Sequence, residues 1–211
     1  MELFNYFRSS ASWRVRIALA LKGLSYDYRP VHLVKKEQHA PAYLEASTNG
    51  LVPLLKLDDG TRLHQSLAII EYLDETVPEP PLLPRDALGR ARVRALAQDV
   101  ACEIHPLNNM RVLQYLNGPL GATEEARGAW IRHWIESGLE VVDRQLAAQP
   151  STFCHGETPG LADCALVPQI FNAHRFNCKL DHVPHVMRVH AACMMHEAFS
   201  TTQPSVCPDA E

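Results

Sequence analysis

The chain has 211 residues, a formal net charge of −4 at pH 7 and hydrophobic side chains at 46% of its positions. This length fits one large domain or two small ones, and the apolar fraction is ample for a core. The slightly acidic balance gives no indication of a nucleic-acid partner, and no run of about 18 apolar residues predicts a membrane span. Because the N-terminus enters a strand pattern without a signal peptide, we expect a cytoplasmic protein.

The first predicted elements are a short strand over residues 2–7 and a helix over about residues 11–22. Ser9 and Ser10 stand where this helix begins. The free N–H groups and the dipole at a helix N-terminus attract anions, so the site would activate sulfur if the anion is a thiolate. Arg8 can add a charge for an anionic substrate.

Two further signals follow before residue 78. Pro53 can open a strand because it has no N–H to contribute. A cis Val52–Pro53 bond would expose the Val52 backbone to a peptide-like ligand. The alternative is an ordinary trans bond, which the sequence alone favours because most X–Pro bonds are trans. Ser66 begins an amphipathic run, where it is either a plain cap or, with Gln65, a carboxylate-binding group. The other predicted elements here are strands at 26–32, 53–57 and 61–64, helices at about 40–46 and 66–76, and a hairpin turn at Asp58-Asp59-Gly60.

A proline-rich linker divides the chain near residues 78–86, because Pro78-Glu79-Pro80-Pro81 and Pro84 suit neither helix nor strand. Beyond it, apolar residues recur at helical spacing almost throughout. The sequence therefore predicts a β-α-β-α-β-β-α domain followed by an all-α bundle, an α/β plus all-α architecture. The predicted helices of the second half are 87–116, 122–148, 161–176 and 186–199.

The six cysteines form no Cys-x-x-Cys pair, and most lie in helix-like surroundings. This usage is typical of free buried thiols in a reducing cytoplasm, and we expect no metal site. The cysteines are Cys102, Cys154, Cys164, Cys178, Cys193 and Cys207.

From about residue 2 to residue 211 the chain resembles the zeta class of glutathione transferases, and within it the maleylacetoacetate isomerases. Several matching segments in order are far more specific than any one alone. These segments are Phe7-Arg8-Ser9-Ser10, Trp13–Leu19, Val52-Pro53, Gln65–Leu73, His105–Asn109, Ala162-Asp163, Leu166–Gln169, Asn172-Ala173, Arg175-Phe176 and the tail with Gln203-Pro204 and Pro208-Asp209.

The resemblance implies a thioredoxin-like glutathione-binding domain over residues 1–80, a helical substrate-binding domain over 87–211, a cis Val52–Pro53 bond and a homodimer. Glutathione is the implied cofactor, with Ser9, or alternatively Ser10, hydrogen-bonded to its sulfur. The other implied glutathione contacts are the backbone of Val52 next to Pro53 for the cysteinyl part, Gln65 and Ser66 for the γ-glutamyl end, His39 for the glycine end, and His105 and Asn109 from the helical domain.

The resemblance also implies an activity: glutathione-dependent cis–trans isomerisation of maleylacetoacetate to fumarylacetoacetate in tyrosine and phenylalanine catabolism, with glutathione transfer as a side activity. Arg8, Arg111 and Arg175 are the candidates for binding the carboxylates of this small keto-diacid and the charge that develops on its ketone oxygen. Two alternatives stay open: maleylpyruvate isomerisation in gentisate catabolism, and a glutathione-binding stress or interaction protein with little turnover.

The sequence departs from the family pattern at three places. Ala11 stands where many relatives have cysteine, which leaves the Ser9 route intact. Gly160 replaces a Ser or Thr helix cap, and we expect Asp163 to favour that helix start by its charge. Residues 46–49 lack the common Asn-Pro, which we interpret as a loop change. Arg14 and Arg16 are expected to be structural or surface groups.

Overall fold

The computed structural model describes Met1–Glu211, which forms two compact units. Unit 1 contains Met1–Leu82 together with Met195–Glu211, and unit 2 contains Leu83–Met194. The division after Leu82 lies within the predicted linker. The second domain was expected to span residues 87–211, but the C-terminal tail, Met195–Glu211, belongs to unit 1 and forms hydrogen bonds there.

Unit 1 is built on a mixed four-stranded sheet in the order β2-β1-β3-β4. Strands β1 and β2 are parallel, whereas β3 is antiparallel to both β1 and β4. Helices α1 and α3 pack against each other, and this arrangement is the predicted thioredoxin-like fold. The elements are β1 (Glu2–Asn5), α1 (Ser10–Leu21), β2 (Asp27–Pro30), α2 (Pro41–Leu44), β3 (Leu54–Lys56), β4 (Arg62–His64), α3 (Ser66–Thr76) and, in the tail, α9 (Glu197–Ser200).

A buried ion pair holds the linker to unit 1. Lys22 Nζ lies 2.6 Å from Asp74 Oδ1 and also donates to the carbonyl groups of Val77 and Pro80. Asp74 Oδ1 in turn accepts the N–H of Leu82 at 2.7 Å. Because a buried charge is costly unless it is paired and hydrogen-bonded, this network explains why the chain stays with unit 1 as far as Leu82.

Unit 2 is helical, and none of the helices in the structure combines the length and apolar character that a membrane span requires. The predicted continuous helix over 87–116 is wrong, because the α-helix gives way to a π-helical turn and a 3₁₀ turn before it resumes. Pro106 explains why no α-helix continues through the 3₁₀ turn, since proline lacks the N–H that an α-helix needs. The elements are α4 (Ala87–Gln98), a π turn (Asp99–Ile104), a 3₁₀ turn (His105–Asn108), α5 (Met110–Asn117), α6 (Glu124–Ala148), α7 (Leu161–Arg175) and α8 (Pro184–Met194).

The predicted helix over 186–199 is also interrupted, because α8 ends at Met194 and α9 begins at Glu197. His196 caps α9, since its ring Nδ1 accepts the N–H of Ala198 at 3.2 Å. The two halves belong to different units, so this break marks the point where the chain leaves unit 2.

The π turn packs closely against α6 through a glycine. A Cβ atom at Gly138 would lie 2.4 Å from Cγ1 of Ile104, a separation that real side chains do not tolerate. Ile104 is buried and directly precedes His105. Gly138 therefore lets the π turn approach α6, and this approach sets where the segment after Ile104 begins.

Asp163 secures the start of α7 in place of a hydroxyl cap. Its Oδ2 accepts the N–H of Gly160 at 2.9 Å, and its Oδ1 accepts the N–H of Cys154 at 2.8 Å. Burial raises the pKa of the Asp163 carboxyl, and these two backbone hydrogen bonds act in the opposite direction. Asp163 thus binds the backbone of the capping residue Gly160, and the expected effect of its charge on the helix start stays a prediction.

Candidate active site

Ser9 is the N-cap of α1. Its Oγ accepts the N–H of Ser12 at 3.2 Å, and its own N–H donates to the carbonyl of Tyr6 at 2.9 Å. The capping bond uses a lone pair of the oxygen, so the hydroxyl proton can still be donated to an anion. Ser10 is the first residue of the helix and is only 5% exposed, whereas Ser9 is half-buried. Ser9 is therefore the more accessible residue of the two.

Arg8 carries its charge against neutral partners. Its Nη2 donates to the hydroxyl of Tyr6 at 3.0 Å, and its Cζ lies 5.0 Å from the ring centroid of Phe7. These contacts orient the guanidinium without neutralising it, because an aromatic ring attracts a cation but carries no net charge. An oriented, uncompensated arginine next to a helix N-terminus provides a second attraction for an anion, one residue before Ser9.

The start of α3 contains an unusual backbone conformation. Gln65, the residue before the helix, has φ +69° and ψ 113°, which for a residue other than glycine costs about 1–3 kcal/mol. Its side chain is exposed, and Ser66 next to it is buried. The first N–H groups of this 11-residue helix have no partner within the helix, so this end, like the start of α1, is suited to binding an anion.

Arg14 joins the starts of α1 and α3. Its Nη1 donates to Ser66 Oγ at 3.3 Å, and the side chain is 2% exposed. Arg14 was expected to be a structural or surface group, and the structure confirms that it is structural. The sequence did not reveal that Arg14 contacts Ser66, a candidate glutathione ligand. The available signal was a charged side chain within the buried stretch Trp13–Leu19.

Val52 brings a third candidate to the same region. The Val52–Pro53 bond is cis, as the resemblance implied. Val52 packs against the cluster that contains Tyr6 and Phe7, next to the turn that carries Ser9. The structure therefore gathers three of the candidates, Ser9, Val52 and Ser66, around the first turns of α1. His39 ends the 3₁₀ turn Glu37–His39 and is exposed.

The remaining candidates lie in unit 2. His105 is half-buried in the 3₁₀ turn, and Asn109 caps α5 by accepting the N–H of Arg111 at 3.0 Å. Arg111 is exposed in the first turn of α5. Arg175 ends α7, and its Cζ lies 5.1 Å from the ring centroid of Phe176. Three of these residues thus share one short segment, and the fourth lies on another helix.

Comparisons with known proteins give the family. Residues 3–81 match the N-terminal domain of glutathione S-transferase, and residues 122–192 match its C-terminal domain. The maleylacetoacetate isomerase of Pseudomonas aeruginosa is 47% identical over 211 residues, which cover 99% of this chain and 98% of the relative.

Two solved structures extend the comparison. A holo structure of maleylpyruvate isomerase, described as a bacterial zeta-class glutathione S-transferase, superimposes with a TM-score of 0.97 at 46% identity and covers 100% of both chains. A maleylacetoacetate isomerase from Anaeromyxobacter dehalogenans with glutathione bound in its active site has a TM-score of 0.90 at 42% identity, covering 100% of this chain and 97% of that one. This chain therefore belongs to the zeta class of the glutathione transferase family.

Proposed function

We propose that this protein is a glutathione-dependent isomerase that converts maleylacetoacetate to fumarylacetoacetate in tyrosine and phenylalanine catabolism. The observation that carries the proposal is the turn between β1 and α1. It presents the hydroxyl of Ser9 at a helix N-terminus beside Arg8, which has no carboxylate partner. The reaction needs one site for a thiolate and another for the negative charge that develops on the ketone oxygen, and this turn suits both. The proposal is further supported by the 47% identity to a maleylacetoacetate isomerase.

The residues of unit 1 fit glutathione chemically. A hydroxyl that can donate at the start of α1 suits a sulfur anion, and the start of α3 suits the γ-glutamyl carboxylate. In this assignment Ser9 donates to the sulfur, with Ser10 as the alternative. Val52, held beside Pro53, pairs its backbone with the peptide, and Gln65 and Ser66 bind the γ-glutamyl end. His39 contacts the glycine end, and His105 and Asn109 contribute from unit 2.

When bound, glutathione would supply the thiolate nucleophile for reversible addition to the conjugated cis double bond, which is the chemistry that allows a cis bond to become trans. The role of Ser9 is to lower the pKa of the bound thiol, because its hydroxyl and the helix N-terminus stabilise the anionic form. Arg8 stabilises negative charge as it develops on the ketone oxygen. Arg111 and Arg175 hold the carboxylates, for which the planar guanidinium is well suited.

The decisive experiment measures isomerisation of maleylacetoacetate by the purified protein with and without glutathione. We expect turnover only with glutathione, because no side chain in this assignment replaces its thiolate. Full turnover in its absence would contradict the mechanism. Binding of glutathione without any turnover would instead favour a binding protein.

Maleylpyruvate is the second candidate substrate. The observation in its favour is the TM-score of 0.97 to a maleylpyruvate isomerase. The two substrates differ on the ketone side, so the same protein chemistry serves both. Comparing kcat/KM for the two diacids at one glutathione concentration assigns the main substrate.

We also propose that the protein is a cytoplasmic homodimer, in keeping with the resemblance to the zeta class. Sedimentation velocity at micromolar concentration tests the assembly, and a monomer under these conditions would contradict it. Fractionation of the source cells, with the protein followed by immunodetection, tests the location.

A further inference from the structure

The tail of the chain contacts α1 through Thr202. Its Oγ1 accepts the indole N–H of Trp13 at 3.0 Å, and its carbonyl accepts Nε of Arg16 at 3.1 Å. Thr202 Oγ1 also donates to the carbonyl of Ala198, which ties it to α9. These contacts place the last residues of the chain against the element that carries the candidate sulfur site.

Arg16 connects this tail to the turn before α1. It is 1% exposed, and its Nη2 donates to the carbonyl of Phe7 at 2.9 Å. Its Nη1 donates to Asn5 Oδ1 at 2.9 Å. The guanidinium therefore bridges the carbonyl of Thr202 and the carbonyl of Phe7.

Asp209 binds the backbone N–H of Phe7, the residue whose carbonyl Arg16 binds. Its Oδ2 accepts the N–H of Phe7 at 3.1 Å, and its Oδ1 accepts the hydroxyl of Tyr28 on β2. Burial and this hydrogen bond raise the pKa of the Tyr28 hydroxyl, which keeps it protonated as the donor. Both backbone polar groups of Phe7 are thus held, the N–H by Asp209 and the carbonyl by Arg16.

We propose that Asp209 is a positioning residue for the reaction, acting through the backbone of Phe7 on Arg8 and Ser9. Phe7 precedes these two residues directly, and its ring lies under the guanidinium of Arg8. Loss of the Asp209 carboxylate frees the Phe7 N–H and lets the turn shift. Because a displacement of about 1 Å can cost a hundred-fold in rate, a small shift matters. The inference rests on the proposed function for its rate effect, and on glutathione binding alone for its effect on the thiol.

The test compares three variants of the full-length protein. Asp209→Ala removes the acceptor, whereas Asp209→Asn keeps a carbonyl oxygen that can accept the Phe7 N–H. Glu211→Gln is the matched control, because this second tail carboxylate contacts only the side chains of His32 and Lys35. For each variant we would measure the melting temperature, kcat and KM, and the pKa of the bound glutathione thiol from its ultraviolet thiolate absorbance.

We expect Asp209→Ala to lower kcat about ten- to a hundred-fold and to raise the pKa of the bound thiol toward that of free glutathione. Asp209→Asn should restore most of both values, and Glu211→Gln should match the unmodified protein. A lower melting temperature for Asp209→Ala with unchanged kcat and thiol pKa would overturn the proposal, since the tail would then only stabilise the fold.

Two further results keep the test decisive. If Asp209→Ala does not fold, Tyr28→Phe removes the second hydrogen bond to the carboxylate, and we expect a smaller rise of the thiol pKa; an unchanged thiol pKa overturns the proposal. If the unmodified protein lowers the thiol pKa of bound glutathione but isomerises neither diacid, the proposed function fails, and the response of the thiol pKa to Asp209→Ala still decides the role of Asp209.

Discussion

Ser9 and Ser10 are neighbours in the chain but differ in what surrounds their hydroxyls. Ser9 caps the helix and is half-buried, whereas Ser10 lies inside the first turn and is almost fully buried. An anion bound at the N-terminal end of α1 would therefore meet Ser9 before Ser10. The difference allows the two side chains to be separated by experiment.

Ser9→Ala should lower kcat/KM about ten- to a hundred-fold, because a hydrogen bond to a charged group contributes about 1.5–3 kcal/mol. It should also cost about 1 kcal/mol of unfolding free energy through the lost cap. Ser9→Thr, which keeps the hydroxyl, separates the two effects, and Ser10→Ala is the matched control. Steady-state kinetics and urea unfolding give the two readouts. An equal or larger kinetic effect of Ser10→Ala would reassign the sulfur contact to Ser10.

Arg8→Ala and Arg175→Ala should each reduce kcat/KM for the diacid about ten- to a hundred-fold, through the loss of a charge-assisted hydrogen bond. Lysine at either position should rescue only in part, because it keeps the charge but lacks the planar fork. The dissociation constant of glutathione should hardly change. Arg144→Ala is the control, since this exposed arginine pairs only with Glu140 on the surface of α6. Normal kcat/KM in both alanine variants would mean that the substrate binds elsewhere.

Among the residues of the site, those at helix starts could be predicted because helix starts are local signals, although only Ser9 is a cap: the capping position of α3 is Gln65, and Ser66 is the first helical residue. Ser9 and Ser66 stand in recognisable positions before apolar helical runs. The contact between Arg14 and Ser66 could not be predicted in the same way, because it joins residues 52 positions apart. Such a pairing depends on how α1 packs against α3.

At the scale of elements, α6 contains two glycines with different surroundings. Gly138 lies against Ile104 of the π turn, whereas a Cβ atom at Gly128 would meet only the end of the Arg132 side chain at 3.2 Å. The first neighbour is a packed core residue, and the second is a flexible side chain that can move aside. Substitution by alanine should therefore lower the free energy of unfolding at Gly138 but not at Gly128.

Gly138→Ala should destabilise the protein by about 1–3 kcal/mol through overpacking. Gly128→Ala should be neutral or stabilise it by up to about 1 kcal/mol, because alanine favours the helix. Urea unfolding of both variants provides the comparison. Since Ile104 precedes His105, Gly138→Ala should also weaken glutathione binding in calorimetry if His105 and Asn109 bind it as proposed. Equal stability of the two variants would show that the π turn can yield without cost.

The elements themselves were predicted well where apolar spacing is regular and less well where a helix changes its type. The predicted helix over 66–76 matches α3, and 161–176 matches α7 within one residue. The π and 3₁₀ turns between α4 and α5 escaped prediction because their residues retain helical apolar spacing. Their geometry depends on the fit of Ile104 against Gly138.

At the scale of the whole molecule, the cysteines differ in their exposure to solvent. Cys102 is exposed, whereas Cys154, Cys164 and Cys193 are buried in unit 2. Burial raises the pKa of the buried thiols, and that of Cys178 is raised to about 11. Burial slows the reaction of a cysteine in two ways: it blocks the approach of a reagent, and it lowers the fraction of thiolate, which is the reactive form.

Native protein treated with an aromatic disulfide reagent at pH 8 should therefore react rapidly at Cys102 and slowly at the buried thiols of unit 2. In denaturant all six cysteines should react rapidly. Mass spectrometry of the labelled peptides identifies the order, and Cys102→Ser should remove the fast phase. Rapid native labelling of Cys154 or Cys164 would show that unit 2 opens easily.

The sequence by itself determined the order of the elements, the proline-rich division and the helix starts that carry Ser9 and Ser66, because caps, proline and apolar period act over a few residues. The tertiary structure decided what lies around them. The tail returns to unit 1, where Asp209 holds the N–H of Phe7 across 202 positions of sequence and Arg16 binds Thr202 across 186. Local pattern cannot encode such partners, since a carboxylate or guanidinium bonds whichever group the packing of helices and strands brings within reach.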